Sequence, residues 1–195
     1  MNRRKYITAA CGASIATIAG CSKLAGKKTL SDPKIDPGPG GGTTMTFTDN
    51  NSEIAHLSVS KRVSPDRAHL PMEIWHRQGT KIKSIKLRVW MPEIATEFPA
   101  KVAVVSPVEG DSSPPPSLSL YTPERLPGTN IEVSDLDDLS DETISTLNLI
   151  IIPNSEKAVD IKIHGTIELS SSNILGSSYT LDGEMKLSYP ELAND

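Results

Sequence analysis

Five acidic side chains, Asp135, Asp137, Asp138, Asp141 and Glu142, crowd into one stretch (SDLDDLSDE) and form the densest set of oxygen donors in the chain. Calcium takes about six to eight oxygens at short range, so a hard cation would be sought here. The stretch lacks the glycine and the terminal glutamate of a calcium-binding helix-loop-helix, and a solvated acidic loop is the simpler account. Four histidines, His56, His69, His76 and His164, raise the question of a softer metal. No two stand four residues apart and none adjoins a cysteine pair, so no zinc pattern forms. A blue-copper centre needs a cysteine thiolate with two histidines, yet the two cysteines, Cys11 and Cys21, both lie near the N-terminus. A cysteine-free His/Met copper site is the remaining form, and ordinary surface histidines need no metal at all. There is no Gly-x-Ser-x-Gly elbow, and Gly40-Gly41-Gly42 has neither a strand before it nor a helix after it, as a phosphate cradle requires. The expectation is therefore a protein that is not an enzyme and holds no cofactor.

The most specific chemistry belongs to Cys21. Arg3, Arg4 and Lys5 make a short positive region without an acid, and Ile7 to Gly20 follows as 14 small or apolar residues without a charge. A bilayer-spanning helix needs about 20 apolar residues, so this run reads as the hydrophobic part of a signal peptide. Asn2-Arg3-Arg4-Lys5-Tyr6-Ile7 resembles a twin-arginine export signal, and Ile18-Ala19-Gly20-Cys21 resembles a lipobox, in which the cysteine becomes lipidated. Two acyl or ether chains on Cys21 would add about 0.8 kcal/mol per buried methylene, enough for stable anchoring where one chain is not. Cleavage before Cys21 leaves 195 − 20 = 175 residues, and removal of three basic residues takes the charge from 20 − 24 = −4 to 17 − 24 = −7. A charge of that sign excludes a globally basic nucleic-acid binder. With Cys11 removed and Cys21 consumed, the exported domain has no disulfide. Together these residues and the polar spacer behind them resemble the uncharacterised twin-arginine-exported lipoproteins of halophilic archaea. That resemblance implies export in a folded state, a lipid at Cys21, and residence on the outer face of the cell membrane. The charge of −7 is mild beside the acidity typical of haloarchaeal exported proteins.

Behind the cysteine, residues 21–44 are rich in glycine and proline and lack periodicity, which reads as a disordered tether after the signal of residues 1–20. Lys23, Lys27 and Lys28 lie close enough to the anchor to meet anionic headgroups. From Met45 the period becomes two: Ile85, Leu87, Val89 and Met91 alternate with Lys86, Arg88 and Trp90, and Ile161, Ile163, Gly165, Ile167 and Leu169 alternate with polar residues. Such runs are half-buried antiparallel strands. Pro65, Pro71, Pro92, Pro107, Pro127 and Pro153 are read as lying between them. About eight or nine short strands with turn signals predict, over residues 45–192, an immunoglobulin-like (fibronectin-like) antiparallel β-sandwich without a disulfide. The last two strands should form a hairpin centred on residue 174. Gly165 then faces Gly183, leaving a gap for a large ring such as Trp75 or Trp90, while His164 pairs with Glu184 and Lys162 with Lys186.

Trp75 and Trp90 fall on the charged side of their strands and are candidates for an interaction surface, unless a long loop covers them. Asn50-Asn51-Ser52 fits an N-glycosylation acceptor in a turn. The partners expected are membrane lipid through Cys21 and an envelope protein. The function expected is a non-catalytic, membrane-anchored envelope lipoprotein for surface interaction or support. A lipoprotein that binds a small ligand or metal for a transporter is the second expectation.

Overall fold

The computed structural model describes residues 26–64, 66–92, 100–106, 117–124, 126–134, 136, 145–154, 159–172 and 176–192. The strands are β1 (Lys27–Leu30), β2 (Lys34–Pro37), β3 (Thr43–Asp49), β4 (Ser52–Val59), β5 (Arg62–Ser64), β6 (Arg67–His76) and β7 (Thr80–Trp90). They continue with β8 (Ala100–Ser106), β9 (Ser117–Tyr121), β10 (Thr129–Ser134), β11 (Ser145–Pro153), β12 (Asp160–Ser171) and β13 (Ser178–Ser188). One sheet, A, runs β1-β13-β12-β7-β10-β9; the other, B, runs β2-β3-β4-β6-β11-β8, with β5 paired to β6. Every pairing is antiparallel except that of β1 with β13. This is the immunoglobulin-like sandwich that the alternation predicts, with no cysteine among the described residues.

The inner faces are built from the apolar half of each alternation. Met45, Phe47 and Leu57 from sheet B and Ile85, Leu87, Ile163 and Ile167 from sheet A are all at most 2% exposed. Burial of each such side chain contributes about 1.5–3 kcal/mol, and this uniform apolar layer holds the sheets face to face. The β12–β13 register centres on residue 174 as expected: Gly165 pairs with Gly183, His164 with Glu184 and Lys162 with Lys186. The like-charge pair is relieved by diagonal neighbours. The Lys162 ammonium donates to Glu184 at 2.6 Å, and Lys186 pairs with Asp160. Asn50 and Asn51 both have positive φ and close the two-residue turn between β3 and β4, so Asn50 is exposed at a hairpin tip.

Three expectations are corrected. The segment read as a tether joins the fold from Lys27 onward. β1 extends sheet A beside β13 and β2 extends sheet B beside β3, so three residues, Ser31 to Pro33, pass from one sheet to the other. Composition suggested a spacer, but the open strand edges of β13 and β3 supply hydrogen-bonding partners that a Gly/Pro-rich strand needs no core of its own to use. Lys27 and Lys28 also make contacts within the fold: Lys27 donates to Glu168 at 2.9 Å and Lys28 to Asp49 at 2.5 Å. Pro71 lies inside β6 and Pro153 is the last residue of β11, paired with Ala100, so neither stands between strands. Pro71 is the interior case. It stands where β6 changes partner from β4 to β5, and its carbonyl accepts from the Ser60 N–H at 2.9 Å. The ladder is interrupted there in any case, so the missing N–H is tolerated.

The gap at the glycine pair is filled by neither tryptophan. A Cβ on Gly183 would lie 2.6 Å from Met45 Sδ and 2.7 Å from Pro33 Cγ, whereas one on Gly165 would meet Leu87, Leu57 and Met45 at 3.4 Å or more. Gly183→Ala is therefore expected to cost about 1–3 kcal/mol through overpacking. Gly165→Ala, with room for its methyl and a strand-favouring gain, should change stability by less than about 1 kcal/mol. Urea unfolding of the two variants checks this; equal midpoints would exclude Pro33 as the filler.

The two lysine contacts of β1 carry a pH dependence. The hydrogen bond from Lys28 holds the Asp49 carboxyl below its usual range, and that from Lys27 does the same for Glu168. Groups depressed in the fold add stability that is complete above their unfolded values near 4 and lost as pH falls through the lower folded values. Acidification below about pH 4 should therefore destabilise the wild type more steeply than an Asp49→Asn/Glu168→Gln variant. Parallel slopes in urea unfolding between pH 5 and pH 2 would show that these contacts add nothing.

Candidate functional site

The outer face of sheet A places the polar halves of five strands in transverse rows. One row runs Tyr121, Asn130, Arg88, His164, Glu184. The next runs Ser119, Glu132, Lys86, Thr166, Asp182. Alternation dictates which side chains point out, and strand order decides which of them meet. Between the rows lies a half-open groove of about 250 Å³, lined by Lys86, Arg88, Asn130, Glu132, His164 and Thr166, with Leu126 at its rim.

Most charges here are satisfied in place. Tyr121 donates to Glu132 at 2.7 Å and Lys86 approaches it at 3.3 Å. The tyrosine hydrogen bond, with the lysine's help, holds the Glu132 carboxyl below its usual range. Thr166 donates to Asp182 at 2.9 Å, and His164 Nε2 stands 3.3 Å from the same carboxylate. Arg88 differs. Its guanidinium lies over the Trp90 ring, 4.1 Å from the centroid, and no carboxylate pairs with it among the described residues. Lys162 approaches the same ring at 5.8 Å, so the indole face serves as a platform for cations. Of the charges that line the groove, Lys86 is matched by Glu132 and Arg88 is left over as one net positive charge.

The sequence candidates are placed as follows. Trp90 is 8% exposed, beneath Arg88 and beside the backbone at Gly128, whose Cβ would lie 2.7 Å from Trp90 Cβ. Trp75 is half-buried on the opposite outer face, that of sheet B. There it stacks on His56 at 5.4 Å with 15° between the planes, and His56 Nδ1 meets Glu53 at 2.6 Å. The two tryptophans therefore do not share a surface. His69 lies on the outer side of β6, and His76 is buried, with Nδ1 3.1 Å from Thr80 Oγ1. Met45, Met72, Met91 and Met185 are core residues. Among the described residues no three His, Cys, Asp or Glu side chains converge as metal ligands. Asp135, Asp137, Asp138, Asp141 and Glu142 lie outside the described residues, as do Arg3, Arg4 and Cys21. Sequence reasoning missed Asn130 and Thr166. Each looks like an ordinary outward strand residue until β10 and β12 are known to flank β7.

Fold and face together define an immunoglobulin-like β-sandwich carrying a shallow polar groove rather than an enclosed pocket. Residues 27–191 match the family described as Domain of unknown function (DUF8121), and the chain belongs to that family. No curated protein matches the sequence. Among solved structures it is similar to the full-length major pilin SpaD from Corynebacterium diphtheriae, at 9% identity and a TM-score of 0.44. That match covers 76% of this chain, which spans only about half (47%) of the pilin. It is also similar to the collagen-binding domain from a Staphylococcus aureus adhesin, at 7% identity over 67% of this chain and 95% of that one, with a TM-score of 0.42. A third similarity is to a structure from Streptococcus parasanguinis Fap1 fimbriae, at 9% identity over 84% of this chain and 100% of that one, with a TM-score of 0.41.

Proposed function

We propose that the chain is an exported lipoprotein, held on the outer face of the cell membrane by a lipid at Cys21, whose sandwich presents a non-catalytic binding face. The observation that carries this reading is the position of the first strand. β1 begins at Lys27, six residues after the lipobox-like cysteine, so folded domain follows directly on the anchor motif. A binding role for the face fits a groove whose acids and histidine are engaged with neighbours while one guanidinium is left open. Among the described residues no helix is long and apolar enough to cross a membrane.

Cys21→Ser tests it. The wild type should fractionate with membranes and give a lipidated N-terminal Cys21 by mass spectrometry, and the variant should be released. A variant that still partitions with membranes, or a wild type that retains an unmodified Met1, would overturn the reading.

A further inference from the structure

We infer that the groove on the outer face of sheet A binds an acidic saccharide, with Arg88 holding its carboxylate. This rests on the reading of the sandwich as a binding domain and names the ligand class of that face.

Three features carry it. The first is the open guanidinium. Arg88 is held over Trp90 at 4.1 Å and lines the groove without a carboxylate partner, while Lys86 one row away is matched by Glu132, so the uncompensated charge is that of Arg88. A fixed guanidinium presents paired N–H donors that match the two oxygens of a carboxylate, a stronger match than a lysine point charge offers. The second is what surrounds it. Asn130 and His164 are the direct cross-strand neighbours of Arg88, and Glu132 and Thr166 are those of Lys86. The Asn130 amide both donates and accepts, and the Thr166 hydroxyl, its proton given to Asp182, still accepts, which suits sugar hydroxyls. Leu126, 54% exposed at the rim, offers an apolar wall for the C–H face of a ring. The groove of about 250 Å³ is smaller than the ~300–1,000 Å³ typical of drug-sized ligands, a size that suits one ring of a chain.

The third feature separates a saccharide from an acidic peptide. β10, β7 and β12 are interior strands, paired on both sides, so their backbone groups are already engaged in the sheet. An extended peptide laid across them could gain no ladder bonds, which are the usual source of its affinity for a sheet. Recognition at this place must come from side chains alone.

The test is calorimetric titration of the full-length chain with trigalacturonate, its methyl ester and hexaglutamate. Trigalacturonate should bind saturably and the ester at least about tenfold more weakly, because the ester removes the charge-assisted pairing. Arg88→Gln should lower affinity at least about tenfold and Lys86→Gln by a smaller factor, while Arg62→Gln on the other sheet should leave it unchanged. Asn130→Asp sets a carboxylate beside Arg88 without deleting a packed side chain. It should cause the same loss as Arg88→Gln, and it serves if Arg88→Gln does not fold. Failure of the wild type to bind trigalacturonate would overturn the assignment. So would equal binding of the ester, unchanged affinity in Asn130→Asp, or hexaglutamate binding as tightly as trigalacturonate. Membrane fractionation of Cys21→Ser is independent of every one of these results, so the two readings fail separately.

Discussion

A chain that begins at Met45 is expected to be less stable than one that begins at Ser22 by at least about 2 kcal/mol. Composition alone would make the two equivalent, because everything before Met45 reads as spacer. The structure makes them different. Removing residues 22–44 strips β1 from β13 and β2 from β3, leaving two long strands as bare sheet edges. It also removes Leu30, which packs against the core, and Pro33, which sits over Gly183. The two lysine contacts to Asp49 and Glu168 go with them. Exposed edges invite pairing between chains, so the shorter chain should also aggregate sooner on warming. Urea unfolding of the two chains, with light scattering during a thermal ramp, is the check. Coincident transitions would return residues 27–44 to the status of a linker.

Gly42→Ala should be the most damaging single methyl in the same segment. The Cβ of alanine at this position would lie 1.7 Å from the Val59 carbonyl oxygen and 2.9 Å from Ser60 Cα. Both are backbone atoms of the β4 end, so no side-chain rotation can relieve the clash. β3 must pull away from β4, or β4 must break early. Overpacking typically costs about 1–3 kcal/mol, and a backbone obstacle puts this case at the top of that range or above it. Gly41→Ala is the informative neighbour: nothing lies within 4 Å of its Cβ, and its φ of 74° makes any cost purely conformational. Alanine there should cost about 1–2 kcal/mol. A Gly42→Ala variant no worse than Gly41→Ala would mean that β3 does not approach β4 as described.

The parts of the fold that could be read from sequence are those set by local alternation. The β12–β13 register followed from an uninterrupted apolar period on both sides of a turn, with one glycine falling opposite another. Lys86, Arg88 and Trp90 could be assigned to one face for the same reason. Reading failed where two periods meet. Between Ile82 and Ile85 the parity changes, because the ladder shifts opposite Glu168 and Leu169 and both isoleucines are thereby buried. A similar shift buries both Ile54 and Ala55 in β4. Strand pairing that borrows its stability from a distant edge was equally invisible: nothing local in Lys27–Leu30 reports the free edge of β13. The groove fell between these cases. Its charged residues were legible, but the meeting of Arg88 with Asn130 and His164 depends on long-range sheet order, which no local pattern encodes.

The short first strand also governs how the proposed anchor transmits force. From Cys21 to Lys27 a fully stretched chain reaches only about 20 Å, so the sandwich would stand almost against the lipid, with its β1 edge nearest. Any pull between membrane and bound ligand then enters through four residues of β1, held by one ladder and two exposed or half-exposed ion pairs. These contacts should yield before the long β12–β13 and β12–β7 ladders. Release up to Gly42 frees about 16 further residues and lengthens the reach by about 50 Å. The Gly/Pro-rich stretch would thus act as stored slack: part of the fold at rest, and a spacer under load.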